Sequence, residues 1–165
     1  MKLHVYILLF FATASFSQTQ KLPKGFSYLK DIDATIQKEL RYCNHNNFIG
    51  TSIESYNEDV LITSTKTANA LKKAQAVFLK KGFSLKIYDA YRPQTAVNHF
   101  VRWAKQTSDT VMKHIYYPKL NKRHLFKLGY ISSKSGHSRG SSVDLTLVNI
   151  NNGKELDMGS PFDFF

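Results

Sequence analysis

A histidine and an aspartate seven positions apart, His137 and Asp144, lie in the stretch SKSGHSRGSSVDLTLV at 133–148. Gly136 and Gly140 set His137 in a turn, and the β-prone run that follows puts Asp144 at the start of a strand. A short reversal can therefore bring an imidazole nitrogen and a carboxylate oxygen to one point. Zinc accepts both donor types, and three protein ligands plus a water make a hydrolytic zinc site. Spacing alone reads more readily as a hydrogen bond or as coincidence, so the neighbouring residues have to decide.

Arg92 is the second residue type with chemical reach. In FSLKIYDAYRP the residues Phe83, Leu85 and Ile87 alternate as a half-buried strand does, and Pro93 ends it before a helical pattern begins. Arg92 thus sits at a strand-to-helix junction, held between rigid elements. A guanidinium aimed at a developing negative charge in a water-poor site lowers a barrier by a few kcal/mol. Read without further context it is a surface or ion-pairing arginine.

Four blocks in one order change that context. SKSGHSRGSSVD resembles the Ser-x-His-x-x-x-x-x-x-Asp motif of the D-alanyl-D-alanine dipeptidases, within the wider zinc D-Ala-D-Ala peptidases. KIYDAYRPQTAV is similar to that family's Asp-Ala-Tyr-Arg-Pro-Gln block. LRYCNHNNFIG and MGSPFDFF are similar to its Leu-Arg-Tyr-Ala-x-x-x-Asn-Phe-x-Gly and Met-Gly-x-x-Phe-Asp segments. The resemblance implies that His137 and Asp144 are ligands of one zinc ion per subunit and that Arg92 stabilises the oxyanion formed at the scissile carbonyl. It also implies that Asp163 and Ser135 bind the substrate near its free ammonium. Ser135 as a shaper of the turn and Asp163 as a terminal cap are the plain structural readings. Asp89 and Tyr91 are expected to brace Arg92 and the strand.

The same resemblance implies a closing Glu-x-x-His, usually within Glu-Trp-Trp-His, whose Glu is the general base and whose His is the third ligand. None of Glu39, Glu54, Glu58 and Glu155 is followed by His three places on. The expectation is therefore a dipeptidase domain over 21–165 that is truncated at its C-terminus, with little catalysis by this chain alone. His99, His114 and His124 have no metal motif around them and are expected at the surface.

The elements that must position these groups follow from periodicity. IQKELRY at 36–42 alternates and predicts a short strand, with Asn44, Asn46, Asn47 and Gly50 marking a loop after it. Residues 67–81 repeat apolar side chains at helical spacing and stop at Gly82, and 94–105 do the same through Val97, Phe100, Val101 and Ala104. A strand is expected over 141–148. The polar span 106–133 reads as a long loop with one short helix. This predicts an α+β single domain, a small antiparallel sheet flanked by helices, similar to the zinc D-Ala-D-Ala peptidases.

The totals set the outer bounds. A chain of 165 residues with 42% hydrophobic and 13% aromatic content supports one core. Residues 1–17 carry Lys2, an apolar run and small residues at Ser15 and Ser17, the layout of a signal peptide, so the mature chain is expected to be exported and periplasmic, with no stable membrane insertion. Its single cysteine, Cys43, excludes an intramolecular disulfide framework and is expected to be a buried structural thiol. The formal charge is +11. Scattered lysines, including Lys72, Lys73, Lys80 and Lys81 on one helix and Lys119, Lys122, Arg123 and Lys127 later, read as a solvated surface beside an anionic envelope rather than as a nucleic-acid site.

The expected activity is zinc-dependent hydrolysis of D-alanyl-D-alanine to two D-alanines in cell-wall peptide metabolism, with the dipeptide as the only partner and no nucleic acid. A peptidoglycan D,D-carboxypeptidase and a catalytically incomplete remnant or binding module of the same family are the alternatives.

Overall fold

The computed structural model describes residues 21–165; the leader expected over 1–17 lies outside them. The described chain begins with strand β1 (Phe26–Tyr28), a single helical turn α1 (Leu29–Ile32) and a two-residue strand β2 (Gln37–Lys38). The strand expected over 36–42 is shorter than its pattern. After Leu40 the chain turns through a 3₁₀ segment at Arg41–Cys43, because Asn47 ties the loop to itself. Its amide donates to Asn44 O at 2.7 Å and to Thr51 O at 2.8 Å. Leu40 and Tyr42 are buried all the same.

Strand β3 (Ile62–Ser64) leads into α2 (Thr65–Leu79), whose first turn is capped by Ser64 Oγ, which accepts from Thr67 N at 3.1 Å. That cap starts the helix two residues before its apolar repeat does. The helix gives way to a turn closed by Gly82 at φ +80°. Strand β4 (Phe83–Asp89) and helix α3 (Gln94–Lys105) follow as the pattern predicts, joined by Ala90–Pro93. The span 106–133 contains the short helix α4 (Lys113–Tyr116) and a 3₁₀ turn at Lys122–His124. Strand β5 (Asp144–Asn149) closes the order.

Two sheets result. β1 and β3 pair antiparallel. β4 is the centre of the other sheet, with β5 antiparallel on one side and β2 on the other. β2 runs parallel to β4, so this small sheet is mixed rather than purely antiparallel. Gln75 of α2 finishes the ladder where β2 ends: its carbonyl accepts from Leu85 N at 2.7 Å and its amide donates to Ser84 Oγ at 3.0 Å. A fully buried amide is tolerated there because its partners are supplied.

The core between the three-stranded sheet and α3 is aromatic. Tyr42, Phe48, Phe100 and Trp103 meet edge to face at centroid distances of 4.9–6.2 Å. Phe165 joins them against Phe48, and Phe162 stacks on Tyr88 at 4.5 Å and 7°. Lys122 departs from the expectation of a solvated cation. It is buried, its Nζ stands 3.9 Å from the Trp103 ring centroid and donates to Gln106 O and Asp109 O. The lysine pins the otherwise irregular 106–133 span onto α3.

Candidate metal and substrate site

Three chain segments converge at the ends of β4 and β5. The ladder between these strands shifts register between Ile87 and Asp89, leaving Tyr88 unpaired and setting Asp89 opposite Asp144. Such a bulge turns the last side chains of a strand away from its regular alternation. Directly after it, Tyr91 N donates to Ile62 O at 2.9 Å and Arg92 N to His137 O at 3.3 Å, so the junction carrying Arg92 is sewn to β3 and to the histidine loop.

The histidine loop is a 3₁₀ turn at Gly136–Arg139. Ser135 caps it, its hydroxyl accepting from His137 N at 3.2 Å. Ser135 thus shapes the turn. Gly140 ends the turn at φ +68°, and its carbonyl accepts from Ser64 N at 2.7 Å and Thr63 Oγ1 at 2.8 Å. A Cβ at Gly140 would overlap the Phe26 ring, so only glycine meets both the backbone angle and the space.

His137 Nδ1 lies 2.9 Å from Ala90 O. A carbonyl can only accept, so Nδ1 carries the proton and Nε2 presents its lone pair. Nε2 faces Asp144 Oδ1 at 3.4 Å, while Asp144 Oδ2 is 3.5 Å from Arg92 Nη2. Burial pulls the imidazole pKa down, but the Asp144 carboxylate beside it more than offsets this and leaves it above the ordinary histidine value.

Asp89, His137 and Asp144 have ligand-type atoms all within 4.8 Å of one another, which makes a candidate metal cluster. The hydrogen bonds separate the three. Asp89 is wholly buried, its Oδ1 accepts from Tyr56 OH at 2.6 Å and its Oδ2 from Arg92 at 2.7–2.9 Å. Both oxygens are therefore engaged, Oδ1 by Tyr56 and Oδ2 by Arg92, and the second contact is the bracing role expected for this residue. His137 Nε2 and Asp144 Oδ1 are the pair that fits a metal. Their 3.4 Å separation matches the edge of a tetrahedron built on zinc bonds of ~2.0–2.1 Å, which is about 3.3–3.4 Å.

Arg92 is fixed from every side. Its guanidinium stands 5.4 Å from the centre of the Tyr42 ring and 5.1 Å from that of Phe100. Burial acts to lower its pKa, yet the anionic and phenolic groups around it raise it further, so it stays a cation. Tyr42 extends the site to Asp163: its hydroxyl donates to Asp163 Oδ2 at 2.9 Å and Oδ1 at 3.2 Å. Asp163 adopts φ +63°, and burial pushes its carboxyl up to about 7.

The structure thus gathers Arg92, His137 and Asp144 within one set of contacts and links Asp163 to them through Tyr42. Tyr42 and Tyr56 are the site residues that spacing did not single out. Tyr42 lies inside the quoted LRYCNHNNFIG block, whereas Tyr56 stands in a polar turn with no periodic signal. His114 and His124 are exposed, and His99 accepts from Glu54 N at 3.2 Å, away from this cluster. Cys43 is half-buried, its thiol raised to about 11 by burial, and it donates to Glu58 O.

Residues 23–165 match the family described as D-Ala-D-Ala dipeptidase. The chain is 36% identical over 140 residues to the D-alanyl-D-alanine dipeptidase of Enterococcus faecium, covering 85% of this chain and 69% of that protein. It is 37% identical over 143 residues to the enzyme of that name from Enterococcus faecalis, covering 87% and 71%. The Streptomyces coelicolor protein of the same name is 34% identical over 138 residues, covering 84% and 68%.

Proposed function

Because this chain belongs to the D-Ala-D-Ala dipeptidase family and is a hydrolase by that membership, we propose that it is a zinc dipeptidase cleaving D-alanyl-D-alanine into two D-alanines. The single observation that carries the zinc site is the facing pair His137 Nε2 and Asp144 Oδ1, with the imidazole tautomer fixed by Ala90 O. A zinc ion there supplies Lewis acidity, polarising the scissile carbonyl and lowering the pKa of water to ~7.

Around that metal the chain's own residues bind and orient. Arg92, held by Asp89 and lying against Tyr42 and Phe100, presents a cation that needs no reorganisation when the carbonyl oxygen gains charge. Asp144 offers one oxygen to the metal and turns the other toward Arg92, which keeps both charges in register. Asp163, steadied by the Tyr42 hydroxyl, offers a carboxylate to the ammonium of a short substrate, and that anion distinguishes a free amino terminus from an acylated one. Ser135 contributes by fixing the turn beneath His137. The apolar leader over 1–17 supports an exported, periplasmic setting, in keeping with turnover of cell-wall peptides.

The second reading is a module that binds metal and dipeptide without turnover. It rests on the engagement of Asp89 by Tyr56 and Arg92, which leaves His137 and Asp144 as the two side chains of the cluster that can turn to a metal.

The test measures zinc binding, dipeptide binding and D-alanine release on the full chain, with a chelator control, an N-acetylated dipeptide and a longer stem peptide. Chelator-sensitive release from the free dipeptide alone supports the dipeptidase. Release from the longer peptide instead identifies a carboxypeptidase. Zinc-dependent binding without release leaves the binding module, and neither binding nor release removes both readings.

A further inference from the structure

Helix α2 carries a charge distribution for which the site has no use. Between Asp59 and Asp89 the chain has no acidic residue, and six lysines fall there: Lys66, Lys72, Lys73, Lys80, Lys81 and Lys86. Lys86 is engaged by Glu39 and Glu155. The other five are exposed and enter no ion pair among the described residues.

Three of these positions share a face. Lys66, Lys73 and Lys80 are seven apart, close to two helical turns, so they form a row with steps of about 10 Å. The row lies opposite Ala68, Leu71 and Gln75, which α2 buries in the core. Val77, one turn from Lys73 and from Lys80, is 54% exposed on that same face. At the C-terminal end of the helix Leu79, four residues after Gln75, lies toward the buried side instead. The turn beyond it brings in exposed Ile150, whose N donates to Gly82 O at 3.0 Å.

We propose that this face of α2 docks the protein onto an anionic lipid bilayer. Unpaired lysines alone would suit any polyanion. Val77 selects a bilayer, because an exposed apolar side chain among cations can enter the boundary between headgroups and acyl chains, which a soluble polyanion does not have. The docking is peripheral: the inner face of α2 is committed to the core, and no helix among the described residues is long and apolar enough to cross a membrane. Ser64, which caps α2, also donates from its backbone to Gly140 O, so a helix resting on the bilayer holds the histidine loop at a fixed height above it.

The test is co-sedimentation of the full chain with vesicles of phosphatidylcholine alone or mixed equally with phosphatidylglycerol, at low and high salt. Binding is expected only to the anionic vesicles and is lost at high salt. At about fivefold in partitioning per lysine, the triple variant Lys66→Gln, Lys73→Gln, Lys80→Gln binds roughly a hundredfold more weakly. The variant Lys105→Gln, Lys119→Gln, Lys127→Gln removes the same charge elsewhere and is expected to stay within a few-fold of the parent. Val77→Ser weakens anionic-vesicle binding several-fold without changing its salt dependence. Circular dichroism confirms that each variant is folded. Equal weakening by both triple variants, equal binding to uncharged vesicles, or retention on duplex DNA without vesicle binding overturns the proposal. None of these readouts depends on dipeptide hydrolysis.

Discussion

Asp89 and Asp144 stand opposite each other across the β4–β5 ladder, yet one is wholly buried and doubly engaged while the other keeps an oxygen facing His137 Nε2. The bulge at Tyr88 creates this division of labour. It makes Asp89 the clamp of Arg92 and leaves Asp144 for the metal. Zinc titration of single variants checks the assignment. His137→Ala and Asp144→Ala are expected to abolish binding at micromolar zinc, whereas Asp89→Asn weakens it by about 10–100-fold, as loss of a supporting contact does. Equal loss in all three variants would make Asp89 a ligand.

Among the described residues Tyr56 supplies the only hydrogen bond to Asp89 Oδ1, at 2.6 Å. Tyr56→Phe keeps the ring and leaves that buried oxygen without a donor, which costs about 1–3 kcal/mol. Urea denaturation reads this directly, and a change below about 0.5 kcal/mol would show that another group replaces the hydroxyl.

Arg92→Lys tests shape against charge. A lysine keeps the cation but cannot grip Asp89 through two nitrogens while stacking over two rings. Dipeptide hydrolysis is expected to fall ~10²–10³-fold with zinc affinity within a few-fold of the parent. A parallel collapse of zinc affinity would reassign Arg92 to assembling the metal site.

Much of this could be read before any coordinates. Helix α3 begins and ends where its apolar repeat does, because Pro93 and the aromatic core fix both ends of the pattern. His137, Asp144 and Arg92 were recognisable because two local motifs carry them. The strand expected over 36–42 shrank because asparagine side chains, silent in a periodicity argument, bend the chain there. β1 and β3 escaped notice since three-residue strands are too short to show alternation. Tyr56 and Lys122 matter through partners 33 and 13–16 positions away, and a local pattern holds no trace of such distances.

Asp163 gives the pH prediction. Its folded-state pKa of about 7 lies above the ordinary 3.8, so protonation favours the folded chain. That contribution is complete below about pH 4 and is lost as pH rises through about 7. Asp163→Asn keeps an acceptor for Tyr42 and is expected to be more stable than the parent at pH 8 by about 1–3 kcal/mol, with no difference near pH 4. An offset that is the same at both pH values would trace the gain to packing. On the proposal that Asp163 meets the substrate's ammonium, dipeptide binding by the parent weakens as pH falls through about 7.

Gly140→Ala combines an unfavourable backbone angle with overlap on Phe26. The expected loss is about 2–4 kcal/mol, read by denaturation, together with weaker zinc binding because the displaced turn carries His137. A destabilised variant with unchanged zinc affinity would show that the turn's anchorage and its ligand are uncoupled.

The span of chain between partners also ranks the steps by which the site comes together. Tyr56 meets Asp89 across 33 positions, Ala90 meets His137 across 47, Arg92 meets Asp144 across 52, and Tyr42 meets Asp163 across 121. Loop-closure entropy grows with the logarithm of these spans, so the short closures are the least costly to make early. The contact between Tyr56 and Asp89 is therefore the least costly of these to close and that between Tyr42 and Asp163 the most.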